Sequence, residues 1–266
     1  MTATTGNDRH FGEEGARLTY GSYLRVPQLL DQQRLESDPP AHDELLFITV
    51  HQVYELWFKQ LLHELTAVRD AMLSADLWWA RHLLARVVAI EQVLIHQVGV
   101  LETMTPQDFL AFRDHLAPAS GFQSVQFREL EFLSGAKDPG FLDRFRALTD
   151  DERARLTERL DQPSLWDAFV EVVRGAGLPA DDDPALIDSM LVVARDRAAY
   201  GEVWELAERL LDHDENAALW RSRHVAMVER QIGTKSGTGG SSGAPYLRGR
   251  LGLHYFPVLW ELRSHL

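Results

Sequence analysis

Apolar residues recur at intervals of three and four along most of the chain, and the periodic stretches are long. From Glu44 to Met72 the positions Leu45, Ile48, Leu56, Leu61, Leu62, Leu65 and Val68 follow helical spacing, and Trp78 to Leu101 repeats the pattern. Both stretches read as core helices. Pro163-Ser164-Leu165 opens a segment carrying Trp166, Phe169, Val170 and Val173, which stops at Gly175-Ala176-Gly177. Pro184 starts another helical run towards Leu211, and Asn216 to Ile232 reads as a further helix closed by Gly233. No stretch alternates apolar and polar residues between hairpin turns, so the predicted class is all-α.

Three irregular stretches punctuate the helices. Residues 1–17 are polar and expected to be mobile, Pro118-Ala119-Ser120-Gly121 is a turn, and Gly233 to Gly243 is rich in Gly, Ser and Thr. Beyond that last stretch only about twenty residues remain, too few for an independent domain. The expected organisation is a mobile segment over 1–17 and one helical domain over 18–266. The acidic runs DDERARLTERLD and PADDDPA read as a solvated helix face and a helix start.

Charge and composition narrow the chemistry. Twenty-seven basic side chains against forty acidic ones give a net charge of −13, which opposes a broad phosphate-backbone interface. Nucleic acid and anionic membranes are therefore poor partners. No uninterrupted apolar run approaches the ~20 residues of a membrane span, and the polar N-terminus carries no secretory h-region, so a cytoplasmic location is expected. The chain has no cysteine, which removes thiolate nucleophiles, zinc–thiolate sites, iron–sulfur clusters and thiolate-bound haem. Eleven histidines remain as the group to interrogate.

Two of them sit on apolar helix faces. Phe47, His51, Glu55 and Phe58 stack on one face, where His51 is either a satisfied core residue or a site residue. HQVYE lacks the second histidine of an HExxH zinc motif. His224 lies on the face Ala217, Trp220, His224, Val228, Gln231, which suits either a core histidine bonded to a carbonyl or an axial haem ligand. Arg113 follows Phe109 by one turn and precedes the Pro118–Gly121 turn. A guanidinium beside aromatic surface at a helix end is suited to bidentate capture of a carboxylate, although solvated or paired arginines look the same in sequence. It is the one basic residue singled out. The run GTKSGTGGSSG contains a formal G-x-S-x-G, but the strand that a nucleophile elbow requires is missing, and the run lacks the lysine of a P-loop. It reads either as a flexible linker or as a lid that closes on a ligand through Thr238.

The order and wording of four blocks carry more information than any single residue. LTYGSYLRVPQLLDQQ, HDELLFITVHQVYELWFKQLLHEL, FRDHLAPASGFQSVQFRELEF and WRSRHVAMVERQIGTKSGTGGSSGAPYL together resemble the tryptophan 2,3-dioxygenase family. The resemblance runs from about Leu18 to the C-terminus and weakens between Phe141 and Asn216. It implies an all-helical homotetramer with one haem b per subunit, which uses O2 to open the indole ring of L-tryptophan to N-formylkynurenine. By the same resemblance His224 matches the proximal iron ligand and His51 the distal histidine that meets the indole N–H. Arg113 and Thr238 match the groups that hold the substrate's carboxylate and ammonium, and Phe47 and Phe109 match ring-packing positions. Ser120 and Gly121 match the turn beside the haem edge. Tyr20, Tyr23 and Leu24 match an N-terminal segment that reaches into a neighbouring subunit's site. An alternative within the resemblance is a haem monooxygenase of a substituted tryptophan or indole.

Overall fold

The two longest periodic stretches fold as helices with almost the bounds their spacing predicts. A computed structural model describes residues 18–145, 148–239 and 242–266; the segment 1–17, expected to be mobile, lies outside the described residues. Thirteen α-helices are present among them: α1 (Tyr20–Tyr23), α2 (Val26–Leu29), α3 (Glu44–Leu73), α4 (Leu77–Leu101), α5 (Pro106–Arg113), α6 (Val125–Ser134), α7 (Gly140–Arg144), α8 (Asp150–Asp161), α9 (Leu165–Gly175), α10 (Asp183–Arg195), α11 (Arg197–Ile232), α12 (Ala244–Arg248) and α13 (Pro257–Leu262). No strand occurs among the described residues, and the fold is all-α.

Capping chemistry sets several of the helix starts. Thr105, Thr149 and Ser164 each accept the amide three residues on, and Asp108, Glu152 and Asp167 answer onto the cap residue's own amide. Asp182 in the acidic run PADDDPA caps α10 through the Ala185 amide, so this run is a helix start as its composition implied.

Helices α3, α4 and α11 form the main packing unit, with α4 in contact with both others and α9, α10 and α13 flanking it. Leu65, Val68, Leu84, Val87, Leu206 and Leu210 are fully buried there. A smaller cluster of Val125, Phe132, Phe141 and Leu156 ties α6, α7 and α8 together. By length and composition α4 is apolar enough to cross a membrane. In this fold its Leu83, Leu84, Val87, Leu94 and Val98 are instead core residues between α3 and α11.

One boundary differs from the sequence expectation. No break separates Leu211 from Asn216; the helical run divides at Asp196, and α11 continues for 36 residues with a single non-helical residue, Tyr200. The polar run LDHDEN looked like a boundary because its buried members are polar. His213 Nδ1 donates to Glu91 Oε1 at 2.6 Å, and its Nε2 meets Ser134 Oγ at 2.9 Å. Ser134 gives its own proton to the Leu130 carbonyl, so His213 donates from both nitrogens as an imidazolium. Burial opposes that charge, but the adjacent Glu91 carboxylate outweighs it and holds the His213 pKa above its usual value. Asp214, also buried, accepts from the amides of Tyr255 and Phe256 and from Trp260 Nε1, at 2.9, 3.0 and 2.9 Å. These bonds clasp the C-terminal segment against the middle of α11.

Candidate functional site

The faces of α3 and α11 that carry His51 and His224 border one cavity of about 300 Å³. Phe47, His51, Glu55 and Phe58 come from α3, and Trp220, His224, Val228 and Gln231 from α11, so each predicted stripe meets the same space. Most of its wall is apolar, with Val98 and Leu101 of α4, Phe127 of α6, Met227 of α11 and Leu247 of α12 contributing.

The His51 ring is oriented by its own helix. Nδ1 lies 2.7 Å from the Phe47 carbonyl oxygen, which can only accept, so Nδ1 carries the proton and Nε2 is left as an acceptor. Burial lowers the His51 pKa, against smaller opposing effects of that hydrogen bond and of Glu55, so the ring is neutral at pH 7. Glu55 is itself tied to Gln126 Nε2 at 2.7 Å. Phe47 packs against His51 at 4.1 Å and against Phe109 at 5.7 Å, and the fully buried Phe112 braces both phenylalanines edge-on.

His224 differs in having no hydrogen-bond partner among the described residues. Its ring stacks on Trp220 at 5.0 Å and 5°, parallel within the wall. Burial lowers its pKa to about 4, with the proximity of His51 adding to the effect, so the imidazole is neutral with an uncommitted lone pair. No three His, Asp or Glu side chains converge as a metal-ligand set among the described residues. A neutral imidazole without a partner in an apolar slot is the donor arrangement that suits a metal brought in by its own carrier group.

Another part of the cavity wall is built by the glycine-rich segment and the Ser120 turn. Arg113 Nη2 donates to the Ser236 carbonyl, and Thr238 Oγ1 donates to the Ala119 carbonyl at 2.7 Å. Ser120 caps a short 3-10 turn, Gly121–Gln123, by accepting from the Phe122 amide. A Cβ on Gly239 would lie 2.5 Å from Ser120 Cβ, so this approach requires glycine. Gly243 is required for another reason, a φ of +68° with the Lys235 carbonyl 2.5 Å from where a Cβ would stand.

A sequence profile of the family described as tryptophan 2,3-dioxygenase matches residues 3–181 and 183–266. The chain belongs to the tryptophan 2,3-dioxygenase family. Proteins named tryptophan 2,3-dioxygenase from Nocardioides sp. and Herpetosiphon aurantiacus are 66% and 46% identical to it, over 96% and 94% of this chain and 97% and 98% of their own lengths. One of the same name from Myxococcus xanthus is 41% identical over 94% of this chain and 90% of its own. The match extends through residues 141–216, where the wording of the tryptophan 2,3-dioxygenase blocks is weakest.

Eight residues singled out from the tryptophan 2,3-dioxygenase blocks line the cavity together: Phe47, His51, Phe109, Arg113, Ser120, Gly121, His224 and Thr238. Tyr20, Tyr23 and Leu24 do not; they are exposed on and just after α1. Arg113 is not the cavity's one guanidinium, because Arg128, Arg221 and Arg250 also line it. Arg128 and Glu131 carry no sequence signal of a site, because an i, i+3 pair reads as a surface ion pair, whereas both are buried here. Tyr246 of α12 follows a stretch with no periodicity and offered no signal.

Proposed function

We propose that the chain is a haem-dependent oxygenase that opens the indole C2–C3 bond of L-tryptophan with O2 to give N-formylkynurenine. The observation that carries this reading is the meeting of the His51 and His224 stripes in one largely apolar cavity, with His224 neutral and without a hydrogen-bond partner. The name shared by relatives that match nearly end to end supports the substrate and reaction.

The residues fit a haem. His224 would hold the iron, the stack on Trp220 keeping its ring plane fixed, and Ser120 and Gly121 of the same cavity wall would contact the porphyrin. Trp220 Nε1, Arg128 Nε and Arg221 Nε are buried cavity-wall donors without protein acceptors, as expected of a wall built to face a polar-edged guest. When bound, the haem supplies the iron that binds and activates O2.

The chain's own groups bind, orient and dehydrate the substrate. Arg113, its side chain only 16% exposed, pairs with the tryptophan carboxylate, and Thr238 receives the ammonium end. Phe47 and Phe109 pack the indole ring, braced by Phe112. His51 Nε2 accepts the indole N–H; with its pKa lowered by burial, His51 positions the ring and does not need to remove a very weakly acidic proton. Fixing the amino acid at both ends leaves the ring little rotational freedom, which is where alignment lowers the barrier. The Gly-rich segment serves as a lid, its two bonds to Arg113 and Ala119 joining it to the substrate-binding rim. Tyr20, Tyr23 and Leu24, exposed in the isolated subunit, complete a neighbouring site in a homotetramer.

Turnover of L-tryptophan by the reduced enzyme under 18O2 tests the reading. Two labelled atoms in the product support it. One labelled atom, or no turnover, overturns it, and one atom would point to the monooxygenase alternative, which the relatives' names do not favour.

A further inference from the structure

One corner of the cavity carries more positive charge than the protein neutralises. Arg128, Arg221 and Arg250 all line the cavity, and the carboxylate that binds in this corner is Glu131; the cavity's other carboxylate, Glu55, is tied to Gln126 instead. Arg128 is 6% exposed, its guanidinium lies 4.3 Å over the Phe141 ring, and one of its Nη groups binds a Glu131 oxygen. Arg250 reaches the other Glu131 oxygen at 3.4 Å. Glu131 is therefore shared between two guanidiniums and cancels one of their two charges. Arg221 is committed to the Leu253 carbonyl and the Tyr255 hydroxyl, which are neutral acceptors. Inside the corner, Arg128 Nε is buried with no acceptor at all.

A buried guanidinium with an unfilled donor is costly unless a ligand fills it. The chemistry that does so is a planar anion presenting two oxygens, which is a carboxylate. We propose that the Arg128–Arg250 corner is a carboxylate site that takes a propionate side chain of the porphyrin. The assignment rests on the haem reading above. It gives the cavity two separate anion sites: Arg113 on the lid side for the amino acid, and the Arg128–Arg250 corner for the cofactor.

The test uses the full chain produced without haem, titrated with haem and with haem dimethyl ester, in which both propionates are neutral. Binding is followed by the Soret band and by quenching of tryptophan fluorescence. Haem is expected to bind at least about tenfold more tightly than its ester, equivalent to ~1.4 kcal/mol. Arg250→Gln, at a side chain that is partly exposed and so tolerant of change, should weaken haem by a similar factor and leave the ester unaffected, which narrows the gap. Arg128→Lys, which keeps the charge, should preserve more of the gap than Arg128→Gln, with far-UV circular dichroism confirming that both fold. Equal affinity of the native chain for the two porphyrins overturns the proposal. So does an unchanged haem-to-ester ratio in both Gln variants. Absence of a Soret band with either porphyrin defeats the haem reading itself, an outcome distinct from equal binding of both.

Discussion

Gly239→Ala probes the lid through a single methyl group. The added Cβ would stand 2.5 Å from Ser120 Cβ and 3.0 Å from its hydroxyl oxygen. Ordinary carbon contacts lie near 3.5–4.0 Å, so the lid and the Ser120 turn must separate by roughly 1 Å. Thr238, the preceding residue, donates to Ala119 across the same gap at 2.7 Å, and a 1 Å shift carries that bond beyond hydrogen-bond range. Losing one neutral hydrogen bond costs about 1 kcal/mol, or about fivefold in kcat/KM. Displacing a substrate-positioning group by 1 Å costs up to about a hundredfold. The expected fall in kcat/KM for L-tryptophan lies between those bounds, with the haem spectrum unchanged and the melting temperature within ~2 °C, because the affected contacts are on the exposed rim and outside the core. Ser120→Gly supplies the decisive control. Removing the Ser120 side chain leaves the Pro118 carbonyl, 3.6 Å away, as the nearest obstacle to the new methyl, and glycine at a cap position costs only a few tenths of a kcal/mol. The double variant should therefore recover most of the activity lost by Gly239→Ala. Wild-type kcat/KM in the single variant, or strictly additive losses in the double, would refute closure of this segment against the Ser120 turn.

Four further outcomes follow from the same geometry. His224→Leu should abolish stoichiometric haem binding while His51→Ala retains it, as read from Soret absorbance per subunit; the reverse pattern would overturn the assignment of the two faces. Arg113→Ala should raise KM by about thirtyfold or more, since truncating one half of a desolvated charge pair costs at least ~2 kcal/mol; an unchanged KM contradicts a carboxylate clamp. Asp214→Ala strands three donors in the core and should cost on the order of 4 kcal/mol in urea unfolding, with Asp214→Asn losing less because one acceptor oxygen survives; a loss below ~1 kcal/mol would show that the C-terminal clasp contributes little. Burial pushes the Glu44 pKa up, but the Ser37 hydroxyl and the Glu36 and Ser37 amides outweigh it and hold the value below 4.5. The stabilisation from Glu44 is thus full above pH 4.5 and fades as pH falls through the lower native value. Glu44→Gln should unfold earlier than the native chain at pH 7 and converge with it in acid; parallel curves at both pH values would refute this.

The parts of the fold legible in the sequence are those where burial and apolarity coincide. Leu61, Leu65, Val68, Leu84 and Val87 satisfy both helical spacing and burial, so α3 and α4 could be read directly. The site residues on those stripes were equally legible, because His51 and His224 stand out against apolar neighbours at helical spacing. Legibility fails where a buried residue is polar. His213 and Asp214 broke the apparent period of α11 although they are core residues held by Glu91, Ser134 and the C-terminal amides. Arg128 and Glu131 failed for the same reason, since only the tertiary fold shows that their pairing happens away from water. Tyr20, Tyr23 and Leu24 mark another limit: a role that depends on a second subunit has no signature in one chain's cavity.

The continuity of α11 bears on how the molecule is made. Asp214 and Arg221 sit in the same uninterrupted helix as His224, and their partners are Leu253, Tyr255, Phe256 and Trp260. Synthesis delivers the helix before those partners. A nascent α11 therefore carries its histidine on a helix whose buried acid and guanidinium still lack their counterparts, and the cavity-lining Tyr246, Leu247 and Arg250 also emerge only after it. The segment 253–260 thus anchors the helix that carries His224 without lining the cavity itself, so a change there would reach the site only through α11.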